Sequence, residues 1–148
     1  MSAPPPVTEL IPHRAPFLLI DEVLELEPDR ALAVRTLTED DAFFGGHYPD
    51  RPMMPGVLMC EAALQTGAYL MAARMRQAGE VAHGVPVVTR LESVKFKRGL
   101  APGDRFEIEV ERTEAVGPAQ WMSARLRKDG KLVAQLRFAV MLAPEESE

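Results

Sequence analysis

The chain has 148 residues, of which 47% are hydrophobic and 26% charged, the profile of an ordinary globular protein with a real core. Its net charge of -5 excludes bulk nucleic-acid binding, which calls for a broadly basic surface, and confines any cationic contact to a local patch. The one cysteine, Cys60, excludes an internal disulfide and fits a reducing compartment, and the three histidines, at 13, 47 and 83, offer no short metal-ligand spacing.

The N-terminal run MSAPPPVTEL has neither a basic start nor an apolar stretch behind it, so a cytoplasmic location is expected. The longest apolar segment, 57–73, is interrupted by Glu61 and Gln65, whereas a membrane span needs about 20 mostly apolar residues. It reads as a core helix. No internal repeat is present, and the whole of 1–148 is taken as one domain with residues 1–8 and 143–148 loose.

In chain order, Thr8 and Glu9 open a short helical turn that Pro12 stops, because proline lacks an amide donor and restricts its neighbour. His13-Arg14-Ala15-Pro16 turns the chain. Residues 17–26 read as a strand partly covered on both faces, Pro28-Asp29 as a turn, and 31–38 as a second strand forming a hairpin with the first. Pro55 suits the first position of a helix that runs to about residue 77, with Gly79 as its stop. On that helix Val57, Glu61, Leu64, Gln65, Ala68, Met71, Ala72 and Met75 share one stripe, while Ala62, Ala63, Gly67 and Ala73 make the opposite side small. A helix apolar or small almost all round is normally central, and Gly67 inside it costs roughly 1 kcal/mol against alanine unless close packing needs it.

Four extended segments follow. Residues 85–98 alternate around Val87, Thr89, Leu91 and Ser93 and end near the turn-forming Pro102-Gly103. In 104–115, Phe106, Ile108 and Val110 alternate with Arg105, Glu107, Glu109 and Glu111, the pattern of a half-buried antiparallel strand. Residues 120–128 and 131–142 flank Asp129-Gly130, a strong hairpin signal, with Leu132, Ala134, Leu136, Phe138, Val140 and Leu142 on one face. The sum is an α+β fold, an antiparallel sheet of about six strands curled around one long central helix, with a strand-edge or face dimer protecting what one sheet leaves open.

The functional signal lies in GGHYPDRPMMPGVLMCEAALQ, residues 45–65. Gly45-Gly46 and the prolines at 49, 52 and 55 fix the angle at which His47 is presented. An isolated histidine there has a plain structural use, hydrogen-bonding a tight turn. Glu61 is the less ordinary residue, since a carboxylate on an apolar stripe is costly to ionise without a partner. It either pairs with an arginine such as Arg14 or Arg90, or stands with His47 as the acid and base of a proton-transfer site. They lie on separate elements, so spacing alone does not establish contact.

The segments IPHRAPFLLIDEV, GHYPDRPMMPGVLMCEAALQ and VKFKRGLAPGD together resemble the FabZ-type 3-hydroxyacyl-acyl carrier protein dehydratases of the hotdog fold, over about residues 10–140. The resemblance implies that His47 and Glu61 are catalytic, and that Gly56, Val57 and Gln65 contact or organise substrate, Gly56 through its backbone N–H to the thioester carbonyl. It implies reversible loss of water from a 3-hydroxyacyl thioester to give the trans-2-enoyl product, with no metal or redox cofactor. It further implies an acyl carrier protein as partner, a site at a homodimer interface with His47 and Glu61 from different subunits, and a trimer of dimers. An acidic carrier would suit the one basic cluster, Lys95, Lys97 and Arg98, which otherwise reads as a solvated strand end. Met53, Met54, Leu58, Met59 and Met71 would line an acyl tunnel if they are not core. His13 and His83 read as structural or exposed. The chain departs from the family pattern at Asp50, Val87, Val88 and Gly99, which leaves tunnel shape and chain length open. A hotdog thioesterase and a non-catalytic acyl- or carrier-binding subunit are the alternatives; the GH-aromatic-P loop weighs against the first, and the presence of both His47 and Glu61 against the second.

Overall fold

The computed structural model describes residues 3–80 and 85–143; His83 and the last five residues lie outside them. Its elements are α1 (Val7–Leu10), β1 (Glu22–Glu27), β2 (Arg30–Thr36), α2 (Ala42–Gly46), α3 (Gly56–Gln77), β3 (Val85–Phe96), β4 (Arg105–Val116), β5 (Ala119–Lys128) and β6 (Lys131–Ala143). The six strands form one antiparallel sheet in the order β1-β2-β4-β5-β6-β3. Helix α3 packs against it, mainly on β4, β2 and β5. This is the α+β arrangement that the alternation and the lone long helix imply, and the hotdog fold that the resemblance implies. Among the described residues no helix is long and apolar enough to cross a membrane.

The inward residues of β4, Phe106, Ile108 and Val110, are fully buried, as are Ala134, Leu136, Phe138 and Val140 of β6. Asp129 and Gly130 turn between β5 and β6 with positive φ at both, the geometry that a tight hairpin matched to strand twist requires. The buried side of α3 carries its small residues, with Met59, Tyr69 and Leu70 among them. Ala62, Ala63, Gly67 and Ala73 are buried there, and a Cβ on Gly67 would lie 2.8 Å from Phe138 Cζ and 2.9 Å from Met122 Sδ. Gly67 is therefore kept by close approach, and that outweighs its poor helix propensity.

Three features differ from the sequence reading. Strand β1 starts at Glu22, not at residue 17, because the backbone of 17–19 is taken by a side chain: Leu19 N–H donates to Gln65 Oε1, and Gln65 Nε2 donates to Phe17 O. Ladder pairing with β2 begins only at Asp21, whose N–H reaches Val34 O. The five residues Ala42–Gly46 form a short helix that the glycine pair conceals; buried Phe44 anchors it. Residues 5–8, expected to be loose, are tied down, with Val7 4% exposed and the Tyr69 hydroxyl donating to Pro5 O at 2.6 Å. Burial, with Glu9 adding to it, pushes the Tyr69 phenol up to about 12, so it stays a donor.

Strand β3 forms one edge of the sheet, bonded only to β6. Its register slips twice, between Val88 and Arg90 and between Glu92 and Lys95, with Ser93 at φ 55°. Val87, Leu91 and Phe96 remain exposed along it.

Candidate active site

The histidine loop is held from both ends. Arg35 on β2 donates to Asp21 and to Asp41, tying the start of α2 to β2, while Asp41 Oδ2 accepts Thr38 N–H. Beyond the loop, Met54 is buried and its N–H donates to Leu100 O at 2.8 Å. Between these anchors His47 follows α2 directly as its C-cap residue, and Tyr48 takes φ 49°, which turns the chain and stacks its ring edge-on to the imidazole at 4.6 Å.

His47 Nδ1 lies 3.0 Å from Met53 O. A carbonyl only accepts, so Nδ1 carries the hydrogen and, in the neutral ring, Nε2 has the lone pair. That is the tautomer a general base needs.

Glu61 sits one turn into α3 with its side chain 22% exposed, on the stripe that does not meet the sheet. Its partners are Gln65, whose Nε2 donates to Oε2 at 3.0 Å, and His13, whose Nε2 is 3.9 Å from the same oxygen. Arg14 does not pair with it; its guanidinium donates to the carbonyls of Thr8, Ile11 and His13. No hydrogen bond or ion pair joins Glu61 to His47 within one chain, so a single copy holds the two halves separately. Gln65 is 1% exposed and uses its oxygen and both amide hydrogens. It links the Glu61 carboxylate to the backbone of Phe17 and Leu19.

Gly56 and Val57 open α3, and neither N–H has an acceptor among the described residues. Unclaimed first-turn amides at the positive end of a helix favour negative charge. The Phe96 ring lies over Gly56, where a Cβ would come within 2.9 Å of it. Val57 is 74% exposed, and Tyr48, Phe17 and Phe96 are exposed too.

An apolar cavity of about 390 Å³ lies between the N-terminal segment and the same side of α3, lined among others by Ile11, Pro12, His13, Ala68 and Met71. Of the methionines considered as tunnel wall, Met54, Met59 and Met71 all belong to the core, and Met71 also lines the cavity. Lys95, Lys97 and Arg98 are all exposed at the end of β3, with Arg98 Nη1 donating to Leu132 O at 2.7 Å. Sequence reasoning missed the closeness of His13 to Glu61; the HR pair before a proline carries no periodicity that would reveal it.

A long helix against a six-stranded antiparallel sheet defines the hotdog class of fold. A solved structure described as the dehydratase heterocomplex ApeI:P from Xenorhabdus doucetiae matches it with a TM-score of 0.80 over 95% of this chain and 93% of that one; at 15% identity the likeness speaks to fold alone. A FabA-like domain model matches residues 11–137. A protein of Anaeromyxobacter sp. (strain K) named 3-hydroxyacyl-[acyl-carrier-protein] dehydratase FabZ is 40% identical over 141 residues, covering 95% of this chain and 90% of the relative. A protein of the same name from Bacillus cereus (strain AH820) is 37% identical and covers 95% of each. The chain belongs to the family of FabZ-type 3-hydroxyacyl-[acyl-carrier-protein] dehydratases, and it is an enzyme.

Proposed function

We propose that the protein removes water reversibly from 3-hydroxyacyl thioesters carried on an acyl carrier protein, in a site completed by two copies of the chain. The observation that carries the mechanism is the His47 hydrogen bond to Met53 O, which leaves Nε2 as the base. Nε2 takes the proton from C2, the electron pair forms the C2=C3 double bond, the C3–O bond breaks, and Glu61 protonates the departing hydroxyl to water. The free Gly56 amide, with that of Val57 beside it, donates to the thioester oxygen as negative charge builds there. Fluid apolar chain beyond C3 fits the cavity beside Met71 and Ala68.

The two-copy reading is supported by the edge strand. A twelve-residue, largely apolar, exposed edge such as β3 is a liability unless paired. Pairing β3 with its equivalent would cover Val87 and Leu91 and bring a second chain toward Gly56 and Phe96. The departures at Val87 and Val88 then fall on this interface. Lys95, Lys97 and Arg98, at the end of the same strand, offer the cationic patch for an acidic carrier on a chain of net charge -5.

The test follows hydration of a crotonyl-carrier thioester. His47→Ala and Glu61→Gln each lower turnover by about 10²- to 10⁴-fold. If the site is shared, co-expressing the two variants rebuilds one intact site in each mixed dimer and restores about a quarter of wild-type activity under random pairing. No restoration would place both residues in one chain. Charge reversal at Lys97 and Arg98 raises KM for the carrier-linked substrate and leaves that of a pantetheine-linked one unchanged; an unchanged KM for the carrier-linked substrate removes the carrier patch. Release of free thiol from the same substrate would favour a thioesterase instead.

A further inference from the structure

The dehydratase mechanism leaves one polar side chain beside the site unused. Gln65 has a determined orientation: its Oε1 accepts Leu19 N–H at 2.8 Å, so its two amide hydrogens go to Phe17 O at 2.8 Å and to Glu61 Oε2 at 3.0 Å. Glu61 Oε2 is therefore an acceptor. His13 Nε2 stands 3.9 Å from the same Oε2, outside direct hydrogen-bond distance and near enough for a small side-chain movement to close it. The other ring nitrogen, Nδ1, is buried with no partner. A buried N–H without an acceptor is the rarer orphan, so the hydrogen belongs on Nε2, facing Glu61.

The surroundings give the imidazole no other task. The main chain around it is stapled by Arg14, which holds the carbonyls of Thr8, Ile11 and His13, and the ring makes no hydrogen bond of its own. It lines the apolar cavity, and its Nε2 lies 3.9 Å from Glu61 Oε2.

We infer that His13 is a positioning residue for the proton-donating carboxyl of Glu61: with Gln65 it makes Oε2 a doubly addressed acceptor, so that the acid proton is carried by Oε1, the oxygen without a protein partner. The inference rests on Glu61 being the acid that protonates the leaving hydroxyl. A carboxyl free to exchange its two oxygens would present the proton to substrate only part of the time. His13 and Gln65 remove that ambiguity.

The experiment compares two leaving groups in the same enzyme preparation. A 3-hydroxybutyryl thioester loses hydroxide and needs the acid. A 3-fluorobutyryl thioester loses fluoride with the C–F electron pair, so only the C2 proton must be taken. His13→Ala lowers kcat on the hydroxy substrate about tenfold or more, with KM within about twofold and fluoride release within about threefold of wild type. His13→Phe keeps the ring volume without an N–H and gives the same selective loss, so it carries the test if the alanine variant fails to fold. His13→Gln, which restores an N–H donor, recovers most of the hydroxy activity. Equal losses on both substrates in His13→Phe, or no loss on either, overturn the inference. Glu61→Gln separates this failure from the failure of the acid assignment: it must be selective against the hydroxy substrate even if the His13 variants are not.

Discussion

The two long sides of α3 are built on opposite plans. Toward the sheet it offers Ala62, Ala63, Gly67 and Ala73, all buried, and the partner side chains Phe138 and Met122 press to within what would be Cβ distance of Gly67. On the stripe away from the sheet it offers Val57, Glu61, Leu64, Ala68 and Met75, none of them fully buried. Small residues let a helix sit deep on a sheet, and the resulting depth leaves the larger residues of the other side at a surface. The difference teaches that in a helix with little polar contrast the packed face is the one whose small residues admit close approach, with Met59, Tyr69 and Leu70 filling the space between them. Gln65 joins the two plans, being fully buried while its amide reaches Glu61.

If the sides are specialised, substitutions should separate activity from stability. The largest effect belongs to Glu61→Gln, which costs about 10²- to 10⁴-fold in turnover while the thermal midpoint stays near that of the parent. A large loss of stability instead would make Glu61 a structural residue. Gln65→Leu, at the junction, loses both: Leu19 N–H and Phe17 O are left unpaired, for about 2–4 kcal/mol in denaturant unfolding, and turnover falls with them. Gly67→Ala should destabilise by about 1–3 kcal/mol, since the Phe138 ring must shift, with kcat of the folded fraction unchanged. A gain in stability there would mean that helix propensity outweighs packing.

The smallest effect is expected on the outer surface of the sheet, away from both sides of α3. Glu109 accepts hydrogen bonds from Arg30 at 2.8 Å and Arg127 at 3.3 Å, and the Arg30 guanidinium foremost holds its carboxyl below the ordinary 4.5, against the opposing effect of burial. Its folded value lies below its unfolded one, so its stabilisation is complete above about pH 4.5 and fades as pH falls through the depressed value. Glu109→Gln should cost about 1–2 kcal/mol at pH 7, and the gap to the parent should narrow as pH falls below 4.5. A pH-independent gap would assign the loss to packing rather than charge.

Much of this was legible along the chain because strand alternation is a local signal. Phe106, Ile108 and Val110 declare their face through their charged neighbours, and Asp129-Gly130 declares its turn through the backbone it permits. The start of β1 was not legible, since nothing between Phe17 and Ile20 reveals that Gln65, far along the chain, will take its backbone groups. Helix α2 was hidden because Gly45-Gly46 reads as a break, while the burial of Phe44 that holds it depends on the finished core.

By itself, the sequence determined the strand pattern, the long helix, the unusual residues His47 and Glu61 and the family resemblance, all of which follow from residue identity and short spacing. Only the tertiary structure decided which side of α3 is packed, that His47 bonds Met53 O through Nδ1, and that Glu61 faces Gln65 and His13 within its own chain. The packing of α3 on Phe138 and the approach of His13 to Glu61 join segments remote in sequence, and the His47 bond to Met53 O, though local, needs the loop geometry that the burial of Met54 and the Asp41 contacts anchor.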